Sequence, residues 1–254
     1  MYNLKIITLN CQKGYQSTFK SFIQKILHGE NYDFILLQEA NIAVLSIIKE
    51  IQSSYMILNP FDIDLKENTH ECILYKKHFI LEESFLISFA KFNSKIPLKG
   101  WGFLYGIFQI EDKIFIIGSV HLHPGIKLSI RLKEIEIIKN DLKKYVNKNN
   151  LIIFGGDLNT GFAKEISIFD EIFFPDFIRI TKKIGSTLDS RYTENAPFLL
   201  NKIAVFFAYF GLGMRLKTDH IYTDTISAKK VVSSIVLNER ISDHSAVEIV
   251  FNGI

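Results

Sequence analysis

Six short polar clusters in the chain carry groups able to do hydrolytic chemistry. Asn10 closes the apolar run Leu4–Leu9, Glu39 follows Phe34–Leu37, and His121 stands near the end of Ile114–Leu122. Gly155-Gly156-Asp157-Leu158-Asn159 follows Leu151–Phe154, Asp219-His220 opens a further run, and Ser242-Asp243-His244 opens the last. Carboxylates, amide carbonyls and water are the hard oxygen donors that Mg2+ or Mn2+ prefers. Hydrolysing a phosphate ester requires an oriented water, neutralised charge on the equatorial oxygens, and help for the leaving oxygen. Asp, Asn, Glu and His together supply all three without a Cys or Ser nucleophile. Taken singly, each cluster reads as readily as a turn or a strand end. Taken together, they place acids, amides and histidines at the rim of a sheet fold, where such groups can converge on one cleft.

The elements that would position them can be read from the apolar pattern. Leu4–Leu9, Phe34–Leu37 and Cys72–Tyr75 are short apolar runs bounded by polar residues, hence strands. Lys113–Leu122 and Leu151–Phe154 are Ile-rich strands, and the last third adds strands around His220–Thr223, Lys230–Val236 and Ala246–Phe251. Between Ser17 and His28 the residues Phe19, Phe22, Ile23, Ile26 and Leu27 share one face, which predicts a helix closed by Gly29. Ile42 to about Ile51 is a second helix. Leu128, Leu132, Ile135, Ile138, Leu142 and Tyr145 recur every three or four residues, which predicts an amphipathic surface helix. Strands interleaved with helices at this length imply stacked sheets with helices outside.

Composition bounds the rest. Apolar residues make up 48% of the 254, with 22 Phe, enough to fill a continuous core, and no linker or repeat divides the chain. Residues 1–254 therefore read as a single domain, expected to be a monomer. The net charge of +3 is too mild to argue for a nucleic-acid partner by itself. Cys11 and Cys72 both lie in strand-like runs and read as small core hydrophobes rather than a disulfide framework. The N-terminus reads directly as a strand, with no signal-peptide pattern, so a cytoplasmic enzyme is expected. Phe198–Met214 is the most apolar segment. It reads as a buried helix, or as a surface lobe that touches a partner, a greasy substrate or a bilayer without stable membrane insertion.

The ordered set Thr8-Leu9-Asn10, Leu37-Gln38-Glu39, Val120-His121-Leu122, Gly156-Asp157-Leu158-Asn159, Thr218-Asp219-His220-Ile221 and Ser242-Asp243-His244 resembles the endonuclease/exonuclease/phosphatase superfamily. That group includes deoxyribonuclease I, exonuclease III, tyrosyl-DNA phosphodiesterase 2, neutral sphingomyelinases and inositol-polyphosphate 5-phosphatases. The resemblance implies an α+β fold, a four-layer α/β/β/α sandwich of two mainly antiparallel sheets like that of deoxyribonuclease I. It implies Glu39 as the main ligand of Mg2+ or Mn2+, with Asn10 and Asp243. Asp157 would orient or deprotonate the attacking water, and Asn159 would hold the phosphate. His244 would contact the scissile phosphate with Asp219 as its carboxylate partner. His121 matches the second histidine of the deoxyribonuclease I-like members, and Glu71 the acid that orients it by a hydrogen bond.

Two neighbours have a plainer reading. His123 could face the same side as His121 on an extended strand, but His121-Leu122 has the family's form. His220 reads as structural, and Arg131 either as a basic residue near the site or as part of a solvated helix face. The resemblance implies a metal-dependent phosphodiesterase or nuclease, acting on a phosphodiester in nucleic acid or a related molecule. The alternative is a lipid or inositol phosphoesterase, suggested by Phe198–Met214 lying just before Asp219.

Overall fold

The computed structural model describes residues 2–12, 18–29, 31–51, 54–59, 70–89, 101–124, 127–146, 150–160, 162–189, 215–240 and 242–253. Phe198–Met214 lies outside the described residues. In chain order the first half gives β1 (Leu4–Asn10), α1 (Phe19–His28), β2 (Phe34–Ala40), α2 (Ile42–Ile51), β3 (Tyr55–Leu58), β4 (His70–Lys76), β5 (Ile80–Ser88) and β6 (Gly102–Ile110). The second half gives β7 (Lys113–His121), α3 (Leu128–Lys143), β8 (Asn150–Asp157), α4 (Ala163–Phe173), β9 (Phe177–Arg179) and β10 (Leu188–Asp189). It continues with β11 (Arg215–Leu216), β12 (Asp219–Asp224), β13 (Val231–Arg240) and β14 (Ser245–Phe251).

Two six-stranded sheets result, ordered β13-β14-β1-β2-β4-β3 and β5-β6-β7-β8-β12-β9, beside a small β10-β11 pair. Each large sheet has one parallel pairing at its middle, β1 with β2 and β7 with β8, and is otherwise antiparallel. A parallel pair needs a crossover, and the amphipathic helices α1 and α3 provide them.

The core accounts for the layers. One cluster joins Ile6, Phe34, Leu36 and Ile73 of the first sheet to Phe108, Phe115, Ile117 and Ile153 of the second. A second joins the outer face of the first sheet, through Ile7, Ile35 and Leu37, to Phe22, Ile26, Val44 and Ile48 of α1 and α2. A third joins Phe103, Tyr105, Ile152 and Phe154 to Ile135 and Ile138 of α3 and Phe169 and Phe173 of α4. The order is therefore helices, sheet, sheet, helices, as expected. Alternate residues of β2 enter different clusters, Phe34 and Leu36 inward and Ile35 and Leu37 outward. Burial on both faces explains why the central strands read as unbroken apolar runs.

Differences from the expected elements fall at the margins. β13 extends to Arg240 rather than ending at Val236, with a register shift against β14 between those residues. The strands β3, β5, β6 and β9 and helix α4 are additions to the expected elements, α4 burying Ile166, Phe169 and Phe173 at helical spacing. β5, an edge strand, is mostly exposed or half-buried along its length. Among the described residues no helix is long and apolar enough to cross a membrane.

Candidate active site

Six strand ends meet along one edge of the sandwich. Asn10 closes β1, Gln38 and Glu39 lie near the end of β2, and His244 precedes β14, all in the first sheet. His121 closes β7, Asp157 closes β8 and Asp219 opens β12 in the second. Register brings the latter three side by side, with His121 opposite Asp157 and Asp157 opposite Asp219. The seam between the sheets is sewn by polar contacts. Asn10 Nδ2 donates to Asp157 Oδ2 at 3.0 Å and to Glu39 Oε1 at 3.2 Å, while Gln38 Nε2 donates to Ser119 Oγ at 2.9 Å.

The backbone is bent to aim these groups. Glu39 has φ of +55° and sits where the β2–β4 register shifts between Leu37 and Ala40, a bulge that turns its side chain out of the ladder. Gln12 and Asn159 also take positive φ, +44° and +49°. Left-handed conformations of this kind concentrate where a site over-determines the chain. Gly156, with φ of +146°, is the residue immediately before Asp157.

Asp157 is the hub. It is buried, accepts the Asn159 backbone N–H at 2.8 Å, and lies 3.7 Å from the Nε2 atoms of both His121 and His244. His121 Nε2 is also 3.9 Å from Glu39 Oε1, and His244 Nε2 is 3.9 Å from Asp243 Oδ1. On its other side His244 Nδ1–H donates to Asp219 Oδ2 at 2.8 Å. Asp219 is held in turn by Thr218 Oγ1, and its backbone N–H donates to Thr187 Oγ1. Asn159 Nδ2 donates to Leu122 O at 2.7 Å, which ties the Asp157 turn to the end of the His121 strand.

Electrostatics sort these groups. Burial works against the His244 cation, but Asp219, Asp157 and Asp243 outweigh it and hold the imidazole far above its ordinary range. Burial likewise opposes an ionised Asp219, yet His244 and hydrogen bonds from His244, Thr187 and Thr218 bring it below the usual carboxylate range. Burial raises Asp157, with Asp219 adding to it and the two histidines only partly offsetting it. The arrangement is an imidazolium clamped between two carboxylates, with Asp157 the more proton-avid of the two.

Two donor sets could serve a metal ion. One oxygen or nitrogen from each of Asp157, Asp219 and His244 lie within 4.8 Å of one another. In that set, however, Asp219 Oδ2 and His244 Nδ1 are already spent on each other. Glu39 and Asp157 offer hard oxygens, and among the described residues no Lys or Arg pairs with either. Asn10 turns its NH2 to these two and its carbonyl to Gln12 N–H at 3.0 Å. A half-turn of its amide would present an oxygen instead.

The sequence profile of the Endonuclease/Exonuclease/phosphatase family matches residues 7–244, almost the whole chain. The chain belongs to this family. As a family member it is a phosphoester hydrolase. Comparison with curated proteins gives no match. Among solved structures, TDP2 of D. rerio complexed with single strand DNA product superposes with a TM-score of 0.77 at 17% identity, covering 100% of both chains. A mannosyl-6-phosphatase of Bacteroides thetaiotaomicron gives 0.71 at 17% identity over 97% of this chain and 98% of that one. A beta toxin of Staphylococcus aureus gives 0.69 at 15% identity, covering 97% and 99%. At these identities the likeness is one of fold.

Of the nine residues singled out from sequence, the structure joins eight in one contact network: Asn10, Glu39, His121, Asp157, Asn159, Asp219, Asp243 and His244. Glu71 differs. The expected hydrogen bond to His121 is not formed. The Glu71 carboxylate instead lies against Gly102, the residue opposite His121 in the sheet. Glu71 and His121 Nδ1 are both buried without a hydrogen-bond partner. Burial pushes the Glu71 carboxyl from an ordinary 4.5 up to about 8, against the pull of nearby backbone N–H groups of Glu71 and Gly102. A native acid more proton-avid than its unfolded form contributes stability below pH 4.5 that is lost as pH rises toward 8. Glu71→Gln should therefore flatten this part of the stability profile. At pH 9 it should raise stability over the wild type by on the order of a few kcal/mol. Thermal melts of both proteins from pH 4 to 9 check this, and parallel profiles would show that the Glu71 side chain ionises freely.

Arg131 is not on a solvated face. It is 3% exposed and pairs with Glu165 of α4 at 2.9 Å, and Glu165 also accepts from Thr160 beside Asn159. Thr187, which no spacing marked, supports the site together with Thr218 and Ser242 of the quoted motifs. Ser242 Oγ bridges Asn10 O and the His244 backbone N–H.

Proposed function

We propose that this family member is a divalent-metal-dependent phosphodiesterase that hydrolyses a nucleic-acid strand or a related phosphodiester by one in-line attack of water. The observation that carries this reading is His244, bonded through Nδ1 to Asp219 on one side and facing Asp157 through Nε2 on the other. A fixed positive donor beside a buried, proton-avid carboxylate is what a water attack on phosphorus needs.

Glu39, Asn10 and Asp243 would hold Mg2+ or Mn2+, with Asp157 next to them. A bound ion supplies Lewis-acid polarisation of the phosphoryl oxygen and charge neutralisation. The chain's own residues do the rest. Asp157 orients the attacking water and accepts its proton. His244 Nε2–H donates to a phosphoryl oxygen while Asp219 keeps the ring in position. Asn159 has a second side-chain N–H left for the phosphate after its bond to Leu122 O. His121 faces the same space and assists the leaving oxygen. The reading takes residues 1–254 as one catalytic domain, acting as a monomer. The single-strand DNA product in D. rerio TDP2 supports a nucleic-acid substrate on the same fold.

Chelation tests the metal and a substrate panel tests the ester. Hydrolysis of single-stranded DNA should vanish after exhaustive EDTA treatment and return with Mg2+ or Mn2+. Undiminished activity after chelation would remove the metal from the reading. Activity confined to inositol phosphates, sphingomyelin or sugar monophosphates would replace the substrate class.

A further inference from the structure

Trp101 is the only tryptophan of the chain, stands immediately before β6, and is half-buried. Its carbonyl accepts the Phe89 N–H at 3.1 Å, which pins its backbone beside the Ser88–Gly102 end of the β5–β6 pair. The indole meets the His121 ring edge-on, with centroids 6.4 Å apart and planes at 89°. It also lies against His123, with centroids 4.7 Å apart at 48°. Because His121 Nε2 is within 4 Å of both Glu39 and Asp157, the indole stands one ring away from the groups proposed to handle the phosphate.

His123 completes the platform. Its backbone N–H donates to Glu134 Oε2 at 3.0 Å, which fixes the turn after β7 to α3. The residue is 7% exposed, yet Nε2 has no hydrogen-bond partner. Burial, with the Arg131 charge adding to it, lowers its pKa, so the ring is neutral at pH 7. The buried ring nitrogen left unpaired is unfavourable as it stands, and the half-buried indole beside it supplies an aromatic surface. Together they match a planar, heteroatom-bearing ring, as a base is.

We infer that Trp101 and His123 form a subsite that stacks a nucleobase next to the scissile phosphate. The inference rests on the phosphodiesterase reading and adds to it the recognition of a base. Stacking is sequence-tolerant because every base presents a π-face, so this subsite favours strands with an unpaired base beside the cleaved bond.

As the single indole, Trp101 reports on its own occupancy. Wild-type protein in Mg2+ buffer is titrated with dAMP, dTMP, 2-deoxyribose 5-phosphate, inorganic phosphate and O-phosphotyrosine while tryptophan emission is followed. The two nucleotides should quench emission saturably, and the base-free phosphates should not. In parallel, Trp101→Ala should raise KM for a single-stranded oligonucleotide about tenfold, more than it lowers kcat, with Trp101→Phe recovering most of the loss. Quenching by deoxyribose phosphate equal to that by nucleotides, or no response to any of the five, would overturn the subsite. Quenching by O-phosphotyrosine alone would overturn it in favour of a phenolic leaving group. The two readings fail separately. Nucleotide-specific quenching in a protein that cleaves no phosphodiester sinks the activity and keeps the subsite, and cleavage without base-specific quenching does the reverse.

Discussion

Asp157→Asn should lower turnover at least about a hundredfold while leaving the fold intact. The side chains are isosteric, and an Asn at 157 can still accept the Asn159 N–H that now meets Oδ1 at 2.8 Å. What disappears is the charge and the ability to take a proton. Both matter at this position because Asp157 Oδ2 is the atom on which Asn10, His121 and His244 converge. Stability should move the other way. Burial raises the Asp157 pKa, so its ionised form opposes folding, and a neutral amide relieves that. The melting temperature should therefore stay within a few degrees of wild type, on the high side, as expected where function is bought with strain. His244→Ala should lose rate on a similar scale, but it strands Asp219 without its ion-pair partner and should be less stable. Rates near wild type in Asp157→Asn would show that another group organises the water.

The contrast between what was legible and what was not follows from locality. Phe34–Leu37 and Leu151–Phe154 are buried on both faces, so every residue in them is apolar, and the polar residues follow in the last positions of β2 and β8. The site lies at those ends, which is why Glu39 and Asp157 could be read in advance. Helix α1 declares itself because its buried residues recur within ten positions. The features that escaped are non-local. Arg131 is buried because Glu165, on the separate helix α4, comes over to meet it. Trp101 matters because β6 pairs with β7 and sets it beside His121 and His123. Glu71 lies on β4 of the first sheet and His121 on β7 of the second, and whether two side chains meet across the sandwich depends on distances that no motif encodes.

Gly156→Ala should be among the most destabilising single changes in the chain, although Gly-Gly-Asp invites reading as a simple tight turn. The residue is inside β8, with φ of +146°. A Cβ there would fall 2.2 Å from Val120 O on the neighbouring strand and 2.7 Å from Gln38 Nε2 of the opposite sheet. The first contact is with backbone held in the parallel β7–β8 ladder, so it cannot turn aside as a flexible side chain would. Left-handed strain and overpacking each contribute roughly 1–3 kcal/mol, so a loss of about 3 kcal/mol or more is expected. For a chain of this size that lowers the melting temperature by roughly 6–12 °C. The pair Gly156→Ala with Gln38→Ala separates the causes. Removing Gln38 opens the 2.7 Å contact only, so the double variant should recover little if the Val120 carbonyl dominates. Full recovery in the double variant would place the constraint between the sheets instead. A melting temperature unchanged in Gly156→Ala itself would mean that β8 shifts away from β7 at little cost, and that the backbone before Asp157 is far less rigid than its geometry implies.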